Sequence, residues 1–144
     1  MEPEKQDVVL RETGRAVVDR LPHGWHEIVV DFHACHRVSV STVVVTGGDG
    51  AVTYPDLPGS AVSSLRELRE GMYREGTGTW FGLRYVITHD RRFHVDYAYD
   101  AEPDFGFELA LGDYWRDAER FPRNPERVPE WLREKLRRYE AGEA

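Results

Sequence analysis

The segment FGLRYVITHDRRFHVDYAY, residues 81–99, decides the fold because it predicts an antiparallel β-hairpin. A first strand spans residues 80–88 and a second spans 93–99, and apolar side chains alternate with polar ones along both. Residues 89–92, His-Asp-Arg-Arg, are typical of the connecting turn. The side chains that share one face are Phe81, Leu83, Tyr85 and Ile87 on the first strand, and Phe93, Val95, Tyr97 and Tyr99 on the second.

Three more strands and two helices are predicted upstream of this hairpin. Apolar residues recur every three or four positions over residues 4–21, which indicates an amphipathic helix that ends before Pro22. Alternation then predicts a strand over 25–34, and residues rich in Val, Ser and Thr predict a second over 37–46. A glycine-rich turn leads to a third strand over 51–56. A middle helix begins after Pro58 and ends before the glycines at 76–78.

Two helices close the chain, over residues 111–121 and 129–140, with prolines at 122 and 125 between them. Hairpin connections dominate, and strands and helices do not alternate along the chain. We therefore expect an α+β fold in which a mostly antiparallel sheet of about five strands is flanked by an N-terminal helix, a middle helix and C-terminal helices. No linker is evident, so residues 1–144 are expected to form a single domain.

Composition limits the classes of function. The chain has 26 acidic and 19 basic residues and a net charge of −7, which disfavours nucleic acid as a partner and is compatible with a basic protein. One cysteine, Cys35, excludes an intramolecular disulfide. The polar, mixed-charge start does not resemble an export signal, and no apolar run is long enough for a membrane span. We expect a cytoplasmic protein without a cofactor or a membrane partner; its oligomeric state is left open.

The negative charge is local. Residues 94–119, here called the acidic segment, contain eight carboxylates and one base, Arg116, whereas the rest of the chain is neutral. Carboxylates mixed with aromatic residues are typical of a surface that docks onto a basic protein, because charge speeds the encounter and buried aromatics supply affinity. The predicted partner-binding residues are Asp96, Asp100, Glu102, Asp104, Phe105, Glu108, Asp113, Trp115 and Asp117.

Two clusters suggest an alternative, a small enzyme or a metal-binding protein. His33, Cys35 and His36 lie close together in sequence, but a zinc site needs three or four convergent ligands and His36 falls on the opposite face of a regular strand. His94, Asp96 and Asp100 combine a histidine with two carboxylates, a set that can bind a cation or exchange protons. We expect polar strand ends and a solvated sheet face instead, and predict neither catalytic nor metal-binding residues.

The C-terminal half resembles a known family. Residues 93–105, FHVDYAYDAEPDF, are similar to the DYxYD…EPDF segment of the YezG-like immunity proteins, and residues 114–123 and 128–132 are similar to that family's closing pattern. The resemblance implies a small cytoplasmic antitoxin that binds and neutralises a cognate polymorphic toxin, several of which are nucleases. The function predicted from the sequence is therefore protein binding without catalysis, with the acidic segment as the toxin-facing surface.

Overall fold

The computed structural model describes all residues, 1–144, and confirms the α+β fold. Its elements in chain order are α1 (Pro3–Val18), β1 (Trp25–Cys35), β2 (Val38–Gly47), β3 (Val52–Thr53), α2 (Gly59–Gly71), β4 (Gly82–Thr88), β5 (Phe93–Ala98), α3 (Leu111–Arg120), a 3₁₀ turn (Pro125–Arg127) and α4 (Glu130–Glu140). The five strands form one antiparallel sheet in the order β3-β2-β1-β4-β5. No helix is long and apolar enough to span a membrane.

The largest departure from the predicted elements concerns β3. The sequence indicated a strand over residues 51–56, but only Val52 and Thr53 pair with β2. Pro55 has no N–H to donate to a ladder, which explains why pairing stops there. The middle helix also ends earlier than predicted, at Gly71, and the 3₁₀ turn at Pro125–Arg127 was not predicted.

The first face of the sheet carries the main core. Alternate residues of β1, β2, β4 and β5 point toward α1 and α2, which pack against each other on this face and enclose a cluster of sixteen buried residues. Tyr85 shows how closely α1 approaches, because its hydroxyl donates a hydrogen bond of 2.7 Å to the carbonyl of Leu10. A cluster of this size supplies most of the hydrophobic stabilisation of the domain.

The second face is covered only at the end where β1 turns into β2. There the loop after β5, together with α3 and α4, packs a smaller cluster onto the sheet, consisting of Cys35, Phe81, Phe105, Leu109, Tyr114 and Leu132. The same end of the sheet is crossed by a buried ion pair that joins α2 to α3, formed by Arg69 and Asp117 with an N···O distance of 2.8 Å. The rest of the second face has no helix over it.

Candidate protein-binding surface

Part of the uncovered second face, here called the open face, consists of Val29, Asp31, Thr42, Val44, Arg84, Val86, His94 and Asp96. Strand register arranges these side chains in two rows. The first row runs Val44, Val29, Val86 and His94 across four strands. All three valines are half-buried although no helix covers them. An exposed sheet face normally carries polar residues, so an apolar row here marks a surface suited to contact with another molecule.

The second row of the open face is charged. It runs Thr42, Asp31, Arg84 and Asp96, so that Arg84 follows Asp31 and precedes Asp96 across the strands. Arg84 Nε is 3.9 Å from Asp31 Oδ1, and His94 Nε2 is 3.1 Å from Asp96 Oδ2. These side chains are well exposed, so the pairs contribute little to stability and remain available to a partner.

The loop after β5 forms one border of the open face. Phe105 is buried and packs edge-on against His33 of β1, with ring centroids 6.5 Å apart. Phe107 lies 6.2 Å from Phe105 but is 58% exposed. Asp104 is exposed, and its carboxylate accepts a hydrogen bond only from the N–H of Gly106, at 2.9 Å. The border therefore presents one free carboxylate and one exposed aromatic ring.

Other carboxylates of the acidic segment are matched by bases from the C-terminal part of the chain, from Arg123 onward. Asp100 accepts a hydrogen bond from Arg123 at 3.1 Å, and Glu102 lies 3.9 Å from Lys135. Glu108 is exposed, and its negative charge contributes to raising the pKa of Arg138, after the larger effect of the Glu143 carboxylate. The local excess of negative charge is therefore smaller in the folded protein than in the sequence.

Two predicted partner-binding residues belong to the interior. Asp117 is 3% exposed and paired with Arg69, and Phe105 is 6% exposed within the second core cluster. The prediction that they line a surface is corrected, because neither side chain reaches solvent. Trp115 is half-buried and packs against Tyr139 with tilted rings whose centroids are 5.3 Å apart, and Asp113 is half-buried at the start of α3.

The cluster of His33, Cys35 and His36 does not converge. His36 occupies the β1–β2 turn with a left-handed φ of 53°. Cys35 is fully buried, and its thiol donates to the carbonyl of Asp113 at 3.7 Å. Burial raises the pKa of this thiol, which disfavours the nucleophilic thiolate. His33 Nδ1 is buried without a hydrogen-bond partner beside Gly82, so it points at neither of the other two residues.

The other alternative set, His94, Asp96 and Asp100, does not converge either. His94 and Asp96 are adjacent on the open face, whereas Asp100 follows the end of β5 and binds Arg123. Across the whole chain, no group of three or more His, Cys, Asp or Glu side chains is arranged to hold a metal ion.

Two of the residues that carry the family resemblance, Arg123 and Trp131, join the C-terminal part of the chain to the end of β5. The indole N–H of Trp131 on α4 donates to the carbonyl of Asp100 at 2.7 Å. Arg123 donates to the carbonyls of Tyr99 and Thr79, at 2.7 and 3.1 Å, although only 5% of its side chain is exposed. Their pattern therefore has an architectural explanation that is independent of any partner.

A cleft of about 500 Å³ lies between α3 and α4, away from the open face. Trp115, Val128 and Leu136 contribute its apolar part. The arginines on its rim, Arg133 and Arg137, are already paired with Glu130 and Glu134 on the same helix. The cleft therefore offers no free charge to hold an anionic ligand.

Comparison with known proteins does not identify a family, because no family model matches the chain and no curated protein is significantly similar to it.

Sequence reasoning missed the valine row and the flanking residues Asp31 and Arg84. A signal was present, because Val29 and Val44 interrupt the alternation of core-facing and outward-facing residues along β1 and β2. Continuous apolar runs in a strand indicate burial on both faces.

Proposed function

We propose that this protein is a cytoplasmic immunity protein that binds a basic protein toxin and neutralises it through the open face of its sheet. The observation that carries the proposal is the row of valines left uncovered on a sheet face that also carries the exposed carboxylates of Asp31 and Asp96 and is bordered by Asp104 and exposed Phe107. The immunity role itself comes from the resemblance of residues 93–132 to the YezG-like family.

Charge on and around the open face supports a basic partner. Asp31 and Asp96 on the open face and Asp104 at its border outnumber Arg84, the one Arg or Lys among these residues, so together they are net negative when histidine is neutral. Complementary charge raises the rate of association and selects against acidic proteins and nucleic acids. This negative surface differs from the acidic segment in two ways. It leaves out the segment's buried residues Phe105 and Asp117, and it adds Asp31 of β1, which lies outside the segment.

Apolar groups on the same face support affinity. Binding energy in protein interfaces is concentrated in a few aromatic and aliphatic side chains that become desolvated, surrounded by a polar rim. The row of Val29, Val44 and Val86 provides such a centre, and Phe107 and the carboxylates lie around it. The surface is a sheet face without an enclosing pocket, which favours a macromolecular partner over a small substrate.

The experiment measures binding to the toxin domain encoded beside this gene. We expect the double variant Asp31→Lys, Asp104→Lys to associate at least about tenfold more slowly at low salt, with a smaller effect at high salt. Phe107→Ala is expected to weaken affinity by roughly tenfold or more, mainly through faster dissociation. Both changes alter exposed side chains, so the thermal unfolding midpoint should remain close to that of the wild type.

A matched control reverses two exposed carboxylates on the other side of the molecule, with Glu12→Lys and Asp19→Lys at α1. These substitutions change net charge by the same amount and should leave association unchanged. If the control slows association as much as the open-face variant does, only net charge matters and the proposed surface is wrong. Absence of binding by the wild type would refute the immunity role.

A further inference from the structure

The two edges of the sheet differ in how they are protected. One edge strand, β3, has only two residues, which limits pairing with another chain. The other, β5, has six residues, Phe-His-Val-Asp-Tyr-Ala, without the proline or lysine that usually blocks an exposed edge. Its only paired neighbour is β4, with no register shift between them.

Strand register shows which backbone groups of β5 face outward. The N–H of Thr88 donates to the carbonyl of Arg92 at 2.9 Å, so even-numbered residues of β5 exchange hydrogen bonds with β4. The N–H and C=O groups of Phe93, Val95 and Tyr97 therefore point away from the sheet. No turn, loop or side-chain hydrogen bond involves these backbone groups.

This open row has a defined end. The next outward carbonyl, that of Tyr99, accepts a hydrogen bond from Arg123 at 2.7 Å. The carbonyl of Asp100 accepts one from the indole of Trp131, also at 2.7 Å. The chain therefore supplies hydrogen-bond partners for the outward carbonyls of residues 99 and 100 and none for the outward backbone groups of residues 93, 95 and 97. Unpaired backbone groups at a sheet edge are a template for strand addition.

We infer that the free edge of β5 pairs with β5 of a second copy of this chain, giving a two-fold antiparallel dimer with one continuous ten-stranded sheet. Pairing about Val95 matches the direction of the free backbone groups, because residues 93, 95 and 97 then exchange hydrogen bonds across the axis. It also places His94 opposite Asp96 of the second copy, twice. Phe93 meets Tyr97 in the same way.

The side chains fit this pairing on both faces. On the open face, His94 and Asp96 are 66% and 69% exposed. In the pairing with the second copy they would occupy non-hydrogen-bonded positions, where cross-strand side chains approach most closely. On the core face, Phe93, Val95 and Tyr97 are only half-buried because no strand lies beyond them. A strand of another sequence would have to reproduce this alternation of charge, whereas a second copy does so by symmetry.

The test measures the mass of the full chain by sedimentation equilibrium from micromolar to near-millimolar concentration. The wild type should approach twice the monomer mass of 16.6 kDa. His94→Glu places two carboxylates opposite each other at both symmetric positions and should raise the dimer dissociation constant at least about tenfold. Adding Asp96→Lys to His94→Glu restores opposite charges and should return the constant to near the wild-type value. Asp31→Lys, on the same face but away from the edge, is the control.

Amide hydrogen exchange gives a second measurement. Exchange at Phe93, Val95 and Tyr97 should slow as concentration rises, whereas exchange at His94 and Asp96, which bond to β4, should not change. A wild type that stays monomeric at near-millimolar concentration overturns the inference. The inference is also overturned if adding Asp96→Lys to His94→Glu does not restore the dimer dissociation constant, or if the amides of Phe93, Val95 and Tyr97 are not protected in the dimer. Because Asp31→Lys affects toxin binding and not dimerisation, failure here is distinct from failure of the proposed function.

Discussion

Arg69 and Asp117 form a bidentate ion pair, with N···O distances of 2.8 and 2.9 Å, while only 4% of each side chain is exposed. The guanidinium also donates to the carbonyl of Trp80 at 2.6 Å and lies over the rings of Phe81 and Phe121, each 5.2 Å away. Asp117 accepts a third hydrogen bond, from the N–H of His36 at 2.6 Å. A buried pair so fully satisfied fixes α2, α3 and the β1–β2 turn in one arrangement.

Breaking this pair is expected to be costly. Asp117→Ala leaves a buried guanidinium without its counter-ion and the His36 amide without its acceptor, so we expect a loss of about 3–5 kcal/mol in the free energy of unfolding. Urea denaturation provides the measurement. The double variant Arg69→Met, Asp117→Leu removes both charges and should cost clearly less than the sum of the single variants Arg69→Met and Asp117→Leu. Additive costs would contradict the account of the pair as one unit.

The sequence predicts the order of helices and strands well, but it does not predict the ion pair of Arg69 and Asp117. Period-two and helical patterns report which side chains face a core, and they located β1, β2, β4, β5 and all four helices to within a few residues. Arg69 and Asp117 occur among other charged residues, at RELRE and WRDAE, a pattern typical of an exposed helix face. Arg69 follows buried Leu65 by four positions, which was the available signal that it lies on the buried side of α2.

The acidic segment illustrates a second limit of sequence reasoning. Its eight carboxylates are close together along the chain. The bases paired with Asp100 and Glu102 are Arg123 and Lys135, which lie beyond the segment and reach it only in the tertiary fold. Pairing of this kind is tertiary and has no local pattern. The open face was missed for a related reason, since its rows draw one side chain from each of four strands.

Trp131 offers a test of how α4 is attached. Its ring lies 5.3 and 5.9 Å from those of Phe81 and Tyr114, and its N–H bonds to the carbonyl of Asp100. We expect Trp131→Ala to lower the free energy of unfolding by roughly 3 kcal/mol, at the lower end for large aromatics because the side chain is only half-buried. Trp131→Phe keeps most of the packing and should cost less. An unchanged melting temperature for the alanine variant would show that the ring does not hold the helix.

Stability is expected to fall in alkaline solution because of Cys35. Burial raises the pKa of its thiol in the native state, whereas the unfolded thiol ionises near its usual value of about 8.5. The native state therefore retains a proton that the unfolded chain releases, so the contribution is complete below pH 8 and declines as pH rises. The expected slope approaches roughly 1.4 kcal/mol per pH unit above pH 9.

Comparison with Cys35→Ala isolates this contribution. The variant lacks the thiol and should show a flatter dependence of the unfolding free energy on pH between 8 and 10. Burial raises the pKa of Tyr97 to about 12 as well, and phenols in the unfolded chain ionise with a pKa of about 10, but this contribution is the same in both proteins and cancels in the comparison. Equal slopes for the two proteins would mean that the thiol is accessible in the native state.

Gly14 and Tyr85 provide the sharpest test of the core. Gly14 lies within α1, where alanine would ordinarily stabilise the helix by about 1 kcal/mol. A Cβ added at Gly14 would lie 2.7 Å from the Tyr85 hydroxyl oxygen and 3.3 Å from Ile87 Cδ1. That oxygen donates a hydrogen bond to the Leu10 carbonyl and is attached to a rigid ring, so it cannot move away easily. We expect Gly14→Ala to destabilise the protein by about 1–3 kcal/mol, in spite of the helix propensity.

A double-mutant cycle with Tyr85→Phe separates the two effects. Phenylalanine removes the clashing oxygen, so the cost of Gly14→Ala should fall in that background, because the helix propensity then opposes only the contact with Ile87. The single Tyr85→Phe variant should itself lose about 1 kcal/mol, since the Leu10 carbonyl loses a buried donor. Urea denaturation of the four proteins gives the coupling energy, which we expect to exceed about 0.5 kcal/mol for residues in contact. Coupling near zero would mean that α1 lies farther from β4 than the 2.7 Å hydrogen bond between Tyr85 and Leu10 requires.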